Sequence, residues 1–323
     1  MKKELSIAIF ILPNTLLSTI FATEEIFSIC NEFCKQKKEV TFKTTLVSLE
    51  DNLHMIEKDL ILPTTCISNH HVYDIIFIPP MRSHDNFNFD IPKLNTWLIK
   101  QYHNGAILTS ACIGSFFLAS TNLLDNKKAT THWAYEKLFE HTFPNVFLHC
   151  NEILIDDQNI ITTGGVNAYM DLCLYLIERY ASTKTANDCA NILLIDKKRD
   201  SQNSYKTLSP ILLGDDNDIK ISILWMKDNL QEQITTQLLA QKSNMKERTY
   251  LRRFKKIVNS TPINYLQLLR IEKAKELLIS TNKSFDEITF EVGFFNESSF
   301  RRLFKRETSL NPGVYRKKFQ QYL

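Results

Sequence analysis

Residues 250–265 of this 323-residue chain are written again at 300–315, at an offset of 50 positions: Tyr250, Arg252, Phe254, Lys255, Pro262 and Tyr265 recur as Phe300, Arg302, Phe304, Lys305, Pro312 and Tyr315. A pattern of this length with helical periodicity predicts two copies of one supersecondary unit. In each copy a short helix (Thr236–Lys242; Phe285–Val292), a tight turn and a second helix (Lys246–Val258; Glu297–Thr308) follow one another. Thr235 and Thr236 read as an N-cap, and Ser284 stands in capping-box spacing ahead of Glu287. Two helix-turn-helix units in tandem, each with arginine on its second helix, point to duplex DNA, since that helix enters the major groove.

Arg248 and Arg252 lie four residues apart and share a face, and Ser298 and Arg302 occupy the same positions in the second copy. These four are the base-reading candidates, because the arginine fork meets guanine O6 and N7 together. Tyr250, Leu251 and Phe254, like Phe300, Leu303 and Phe304, are expected to turn toward the core. Lys255, Lys256, Lys305 and Arg306, at the helix ends, are the phosphate candidates. A merely solvated basic face need not repeat at a fixed offset with the same proline and tyrosine.

Charge divides the chain in the same way. Residues 216–323 carry 20 Lys and Arg against 12 Asp and Glu, a net +8, whereas 1–215 carry 19 against 24, a net −5. The C-terminal part is suited to a polyanion and the remainder is not.

The first 190 or so residues alternate short β-rich runs (Ile7–Leu12, Val40–Leu49, Asp74–Pro80, Ala106–Ala111, Phe147–Ile155, Ile160–Thr163) with helix-like stretches (Thr23–Cys34, Ile91–Tyr102, Ala168–Arg179). This predicts an α/β domain with a mostly parallel sheet covered by helices, and an all-α C-terminal domain after it. The apolar run after Lys2 and Lys3 imitates a signal peptide, but Glu4, Pro13 and Asn14 interrupt it, and Ser6–Ile11 reads as a buried first strand. Polar breaks at Asp196–Ser204 and Gly214–Asp218 place a linker at 196–218, between domains at 1–195 and 219–323.

Seven irregularly spaced cysteines form no disulfide framework and no CxxC zinc pair, so a reducing cytoplasm, no metal and no cofactor are expected. One of them has a context. Gly105–Ser115 is an apolar strand running into a helix with Cys112 at the join, where backbone N–H groups favour a thiolate. His132 could supply a base, and Gly164-Gly165 offers a close backbone approach.

Leu251–Lys256, Thr261–Leu266, Arg270–Ala274, Glu291–Phe294 and Asn311–Arg316 resemble the AraC/XylS family of transcription regulators over about residues 219–319. Asn259 and Ser309 stand where that family usually has glycine. The resemblance implies two helix-turn-helix units joined by one linking helix (about Pro262–Thr281) and set into successive major grooves. Residues 5–190 resemble the PfpI-type, class I glutamine-amidotransferase-like fold, a flavodoxin-like sandwich. By that resemblance Cys112 matches the elbow cysteine and His132 the histidine after it, while the acid is unclear: Thr19 stands where relatives often have aspartate, and Glu25 is the nearest carboxylate that aligns.

Three readings of Cys112 stay open: a ligand-binding or redox-sensing pocket without catalysis, a buried structural thiol, or a hydrolase nucleophile. The whole reads as a cytoplasmic transcription regulator. Its partners are expected to be double-stranded promoter DNA, RNA polymerase, an unidentified small-molecule effector and a second copy of the chain, with no membrane. A cysteine-dependent amidase or protease with a DNA-binding tail is the alternative.

Overall fold

A computed structural model describes residues 4–55, 60–68, 71–82, 88–197, 199, 201–208 and 216–320, which fall into two compact units, Met1–Gln202 and Asn203–Leu323. The apolar run near the N-terminus is strand β1 (Glu4–Phe10), followed by α1 (Leu17–Lys37) and β2 (Thr41–Ser48). An antiparallel hairpin of β3 (Leu53–Met55) and β4 (Leu60–Leu62) precedes the two-residue β5 (Thr65–Cys66). Next come β6 (Ile75–Ile78), α2 (Pro92–His103), β7 (Ile107–Ala111) and α3 (Gly114–Ser120). Then β8 (Lys128–Ala129), α4 (Glu136–Thr142) and β9 (Phe147–Leu148) follow, with β8 and β9 paired. The hairpin β10 (Leu154–Asp157) and β11 (Ile160–Thr163) leads to α5 (Ala168–Tyr180) and α6 (Thr183–Ile192).

Seven strands make one sheet in the order β10-β11-β7-β6-β1-β2-β5, parallel throughout except for β10 against β11. Alternate side chains supply two cores. Ile7, Ile9, Ile75 and Phe77 pack under α1, α5 and α6, while Ala8, Phe10, Ile76 and Ile78 pack under α2, α3 and α4. Cover on both faces is why Ile75–Ile78 is apolar without alternation. Each fully buried Ile or Phe contributes roughly 1.5–3 kcal/mol. The stretch Phe147–Ile155, read above as one strand, is two, because the chain turns where Glu152 N donates to His149 O (3.1 Å).

The second unit is helical: α7 (Asn217–Asp228), α8 (Thr236–Lys242), α9 (Glu247–Val258), α10 (Pro262–Ser280), α11 (Phe285–Glu291), α12 (Glu297–Thr308) and α13 (Pro312–Phe319). Of the expected linker, residues 198, 200 and 209–215 lie outside the described residues, and α7 begins inside the stretch, capped by Asp216. The Thr235 hydroxyl accepts from Leu238 N, and Ser284 and Glu287 form the full capping box that their spacing predicts. One core holds α7, α8, α9 and Tyr265, Leu266 and Leu269 of α10. A second holds Ile271, Ala274, Leu277 and Leu278 of α10 with α11, α12 and Tyr315.

Two glycines separate close approach from open space. Gly293 has φ +82°, and a Cβ there would lie 2.3 Å from Leu230 O, whereas at Gly313 it would meet nothing within 4 Å. Gly293→Ala is therefore expected to destabilise this unit by roughly 2 kcal/mol or more through strain and overpacking. Gly313→Ala, inside α13, should stabilise it by about 0.5–1 kcal/mol. Urea unfolding read by hydrogen exchange of the α10 amides checks both.

Candidate functional site

The second helix of each helix-turn-helix unit is amphipathic. Tyr250, Phe254 and Val258 of α9 are buried, as are Phe300, Leu303 and Phe304 of α12. Arg248, Arg252, Lys255 and Lys256 are exposed on α9, and Ser298, Arg302, Lys305 and Arg306 on α12. Arg248 and Arg252 have no ion-pair partner among the described residues, so both forks stand free. Arg302 Nη2 donates weakly to Ser299 Oγ (3.4 Å), and Arg306 pairs with Glu307.

Leu251 departs from the expectation. It is exposed and lines a shallow hollow with Arg248, Arg252 and Lys255. The half-buried position belongs to Arg253, whose guanidinium pairs with Asp216 (2.7 Å) and Asp218 (3.2 Å) and so ties α9 to the start of α7. In the second copy the same two positions carry Arg301, paired with Glu297, and the buried Leu303.

In the α/β unit Cys112 follows β7 with φ 58°, in the left-handed region. Its N–H donates to Thr163 O (2.9 Å), and the hydroxyls of Ser115 (3.0 Å) and Thr131 (3.1 Å) both donate to its carbonyl. Gly114 lets α3 start close to β6, where a Cβ would lie 2.6 Å from Ile78 O. The geometry is thus the sharp strand-to-helix turn that the sequence suggests. Its electrostatics differ: burial pushes the thiol up to about 12, and the hydrogen bond from the Ile113 backbone offsets only part of that. Desolvation outweighs the backbone N–H groups, so the thiol form prevails at neutral pH.

His132 caps the short turn Trp133–Tyr135, its Nδ1 accepting from Ala134 N (3.1 Å), and burial holds its pKa below the ordinary value. Among the described residues no hydrogen bond joins it to Cys112 or to a carboxylate. Gly165 lies beside it, since a Cβ there would sit 3.9 Å from His132 Cδ2. Glu25 is not part of this group. It is exposed on α1 and lines a separate cleft with Asn167, Tyr169, Ile195 and Arg199. Thr19, also on α1, is buried, with its hydroxyl donating to Leu16 O (2.7 Å).

Sequence reasoning missed Gln202. Its buried amide fills the space beside Gly164, where a Cβ would come within 2.2 Å of it. Nε2 reaches four acceptors: Thr131 O (2.9 Å), Cys150 O (3.1 Å), Glu152 O (3.1 Å) and Thr130 Oγ1 (3.3 Å). Oε1 is buried without a hydrogen-bond partner. A polar side chain at the edge of a linker gives no local sign that it will be buried.

The chain matches the model of the DJ-1/PfpI family over residues 17–179 and a helix-turn-helix domain model over 239–318. Over 222 residues, 68% of the chain, it is 27% identical to the HTH-type transcriptional regulator ArgR of Pseudomonas aeruginosa, across 67% of that protein. Over 153 residues, 44% of the chain, it is 31% identical to isonitrile hydratase of Pseudomonas putida, across 65% of that protein. It thus spans about two thirds of each relative's length. Among solved structures, an AraC family transcriptional regulator from Pseudomonas putida shares the fold, with a TM-score of 0.50 and 17% identity over 58% of this chain and 99% of that one.

Three measurements test the site as described. Iodoacetamide at pH 8 should modify Cys112 at least about a hundredfold more slowly than the half-exposed Cys66, as mass spectrometry would show. Because burial lowers the His132 pKa, the unfolded chain takes up that proton first. Stability should therefore fall as pH drops through about 6.5, and His132→Gln should flatten that part of the profile. Gln202→Ala, which removes the donor serving those buried acceptors, should cost about 1–3 kcal/mol in denaturant unfolding.

Proposed function

Since the chain belongs to the DJ-1/PfpI family and carries a pair of helix-turn-helix units after that α/β unit, we propose that it is a sequence-specific DNA-binding transcription regulator of the AraC/XylS type, with the α/β unit as sensor, dimerisation module or both. The observation that carries this reading is the repeat itself: two amphipathic helices, each burying the same aromatic positions and exposing a basic face, in a segment with net charge +8. Arg248, Arg252, Ser298 and Arg302 are assigned to bases, and Lys255, Lys256, Lys305 and Arg306 to phosphates. The chain acts in the cytoplasm on promoter DNA, as a homodimer that meets RNA polymerase and responds to a small effector at the turn around Cys112, His132, Gly164 and Gly165. Among the described residues no helix is long and apolar enough to cross a membrane.

The α/β unit is assigned a non-catalytic role, on the raised Cys112 pKa and the absence of a hydrogen-bonded acid at His132 among the described residues. A cysteine-dependent enzyme is the second reading, favoured by the likeness to isonitrile hydratase. Turnover of an isonitrile or amide by the wild type, lost in Cys112→Ser, would replace the first reading with the second.

Selection of DNA from a random pool by the intact protein, followed by gel shifts at several salt concentrations, tests the regulator reading. Arg252→Ala and Arg302→Ala should each cost about 1–3 kcal/mol on the selected site and relax base preference. Lys255→Ala and Lys305→Ala should weaken all sequences alike and lower the salt slope by about one. With Arg248 matched by Ser298, the first unit should contribute more base discrimination. Equal losses on selected and random DNA would demote the arginines to backbone contacts.

A further inference from the structure

The two helix-turn-helix units differ at their turns. Met245 N donates to Ala240 O (2.9 Å) and Phe294 N to Thr289 O (2.9 Å), so these residues correspond at an offset of 49. Asn244 (φ 50°) and Gly293 (φ 82°), the left-handed residues of the two turns, correspond at the same offset. The following helices, however, are capped by Lys246 and Asn296, an offset of 50. The second turn therefore holds one residue more, and that residue is Phe295.

Phe295 is 71% exposed and lies edge-on to Phe290, itself 70% exposed, with ring centroids 6.5 Å apart. Its neighbour Phe294 turns the other way and packs on Phe300 (4.4 Å). Phe295 immediately precedes Asn296, whose side chain accepts from Ser299 N (2.8 Å) and caps α12. The exposed ring thus stands at the N-terminal end of α12, the end from which a recognition helix touches base edges. The first unit has no such pair, because Gln241 corresponds to Phe290 and nothing corresponds to Phe295.

A single exposed apolar residue needs no explanation, but two adjacent rings at this end of a helix that also exposes Arg302, Lys305 and Arg306 do. The basic face that continues along α12 toward its C-terminal end selects for duplex DNA. The apolar group that duplex DNA offers in its major groove is the thymine C5-methyl.

We propose that Phe295, backed by Phe290, is a specificity-determining residue of the second unit that packs against thymine methyl groups in the major groove. The proposal rests on the DNA-binding reading above. It supplies the second unit with apolar discrimination where Ser298 replaces an arginine. One methyl buried against the ring corresponds to about fourfold in affinity.

The test uses the intact protein and a site it selects from a random pool, with the second unit's half-site located by the bases that respond to Arg302→Ala. Each thymine there is replaced in turn by deoxyuridine, which removes the methyl and leaves the hydrogen-bonding edge. Wild type should lose about fourfold at one or two thymines. Phe295→Ala should bind thymine and deoxyuridine forms equally, at the level of wild type on deoxyuridine, and Phe295→Leu should keep part of the difference. Because the deoxyuridine arm leaves the protein unchanged, a folding defect in a variant does not confuse it. The proposal is overturned if no deoxyuridine in that half-site weakens wild type, or if Phe295→Ala keeps the full thymine preference. Enrichment of no sequence overturns the DNA-binding reading itself; enrichment without methyl dependence overturns this one alone.

Discussion

The C-terminal unit turns on one partly buried cation. Arg270 sits in α10 where the two cores meet, its Nε donating to Leu230 O (2.9 Å) and its Nη2 to Glu232 O (2.9 Å), with the guanidinium over the Phe294 ring (5.3 Å). Burial lowers its pKa, yet arginine remains charged in proteins, so the site must provide acceptors and a ring face. Gly293 has no side chain partly for this reason, since a Cβ there would lie 2.7 Å from Arg270 Nη2. One side chain thus holds the loop before α8 and the turn before α12, and the spacing of the two exposed basic faces follows from it. Lysine, a point charge on a flexible stem, would not span both carbonyls and stack on the ring as well.

In the α/β unit the decisive balance is between backbone geometry and burial. A residue with a Cβ held at φ 58° costs on the order of 1–3 kcal/mol, and the turn persists because Thr163, Ser115 and Thr131 fix the Cys112 peptide. That strained turn is the part of a nucleophile's setting that the backbone supplies. The remainder, a lowered thiol pKa and a base oriented by an acid, is missing among the described residues. The turn is present here together with a thiol that burial holds protonated.

What was legible in the sequence was local or periodic. The buried run of β6, the capping box at Ser284 and the aromatic positions of α9 and α12 each follow from a period or a spacing. The errors came from long-range partners. Leu251 looked like core because it is apolar, but the inward phase falls on Arg253, which is accommodated there by Asp216 and Asp218, more than 30 residues earlier. Gln202 gives no periodic signal, since its partners lie 50 to 72 residues away. Glu25 was aligned by sequence proximity to β1, which does not determine which way a side chain on α1 points. The left-handed helix ends at Asn259 (φ 56°) and Ser309 (φ 61°) keep the conformation associated with glycine, so the family pattern located the turns although the residue differed.

The borders of the seven-stranded sheet have a consequence for colloidal behaviour. On one side β5 has only two residues. On the other, β10 carries Asp156, held by Arg179 and Tyr175, and Asp157, which accepts from Lys128 N (2.8 Å). A strand from another molecule would find either too short a template or a charged one, and such blunt borders suppress edge-to-edge aggregation. Growth of the sheet by recruitment of further strands is thereby disfavoured, which keeps a wide, strongly apolar sheet from becoming a seed for fibres.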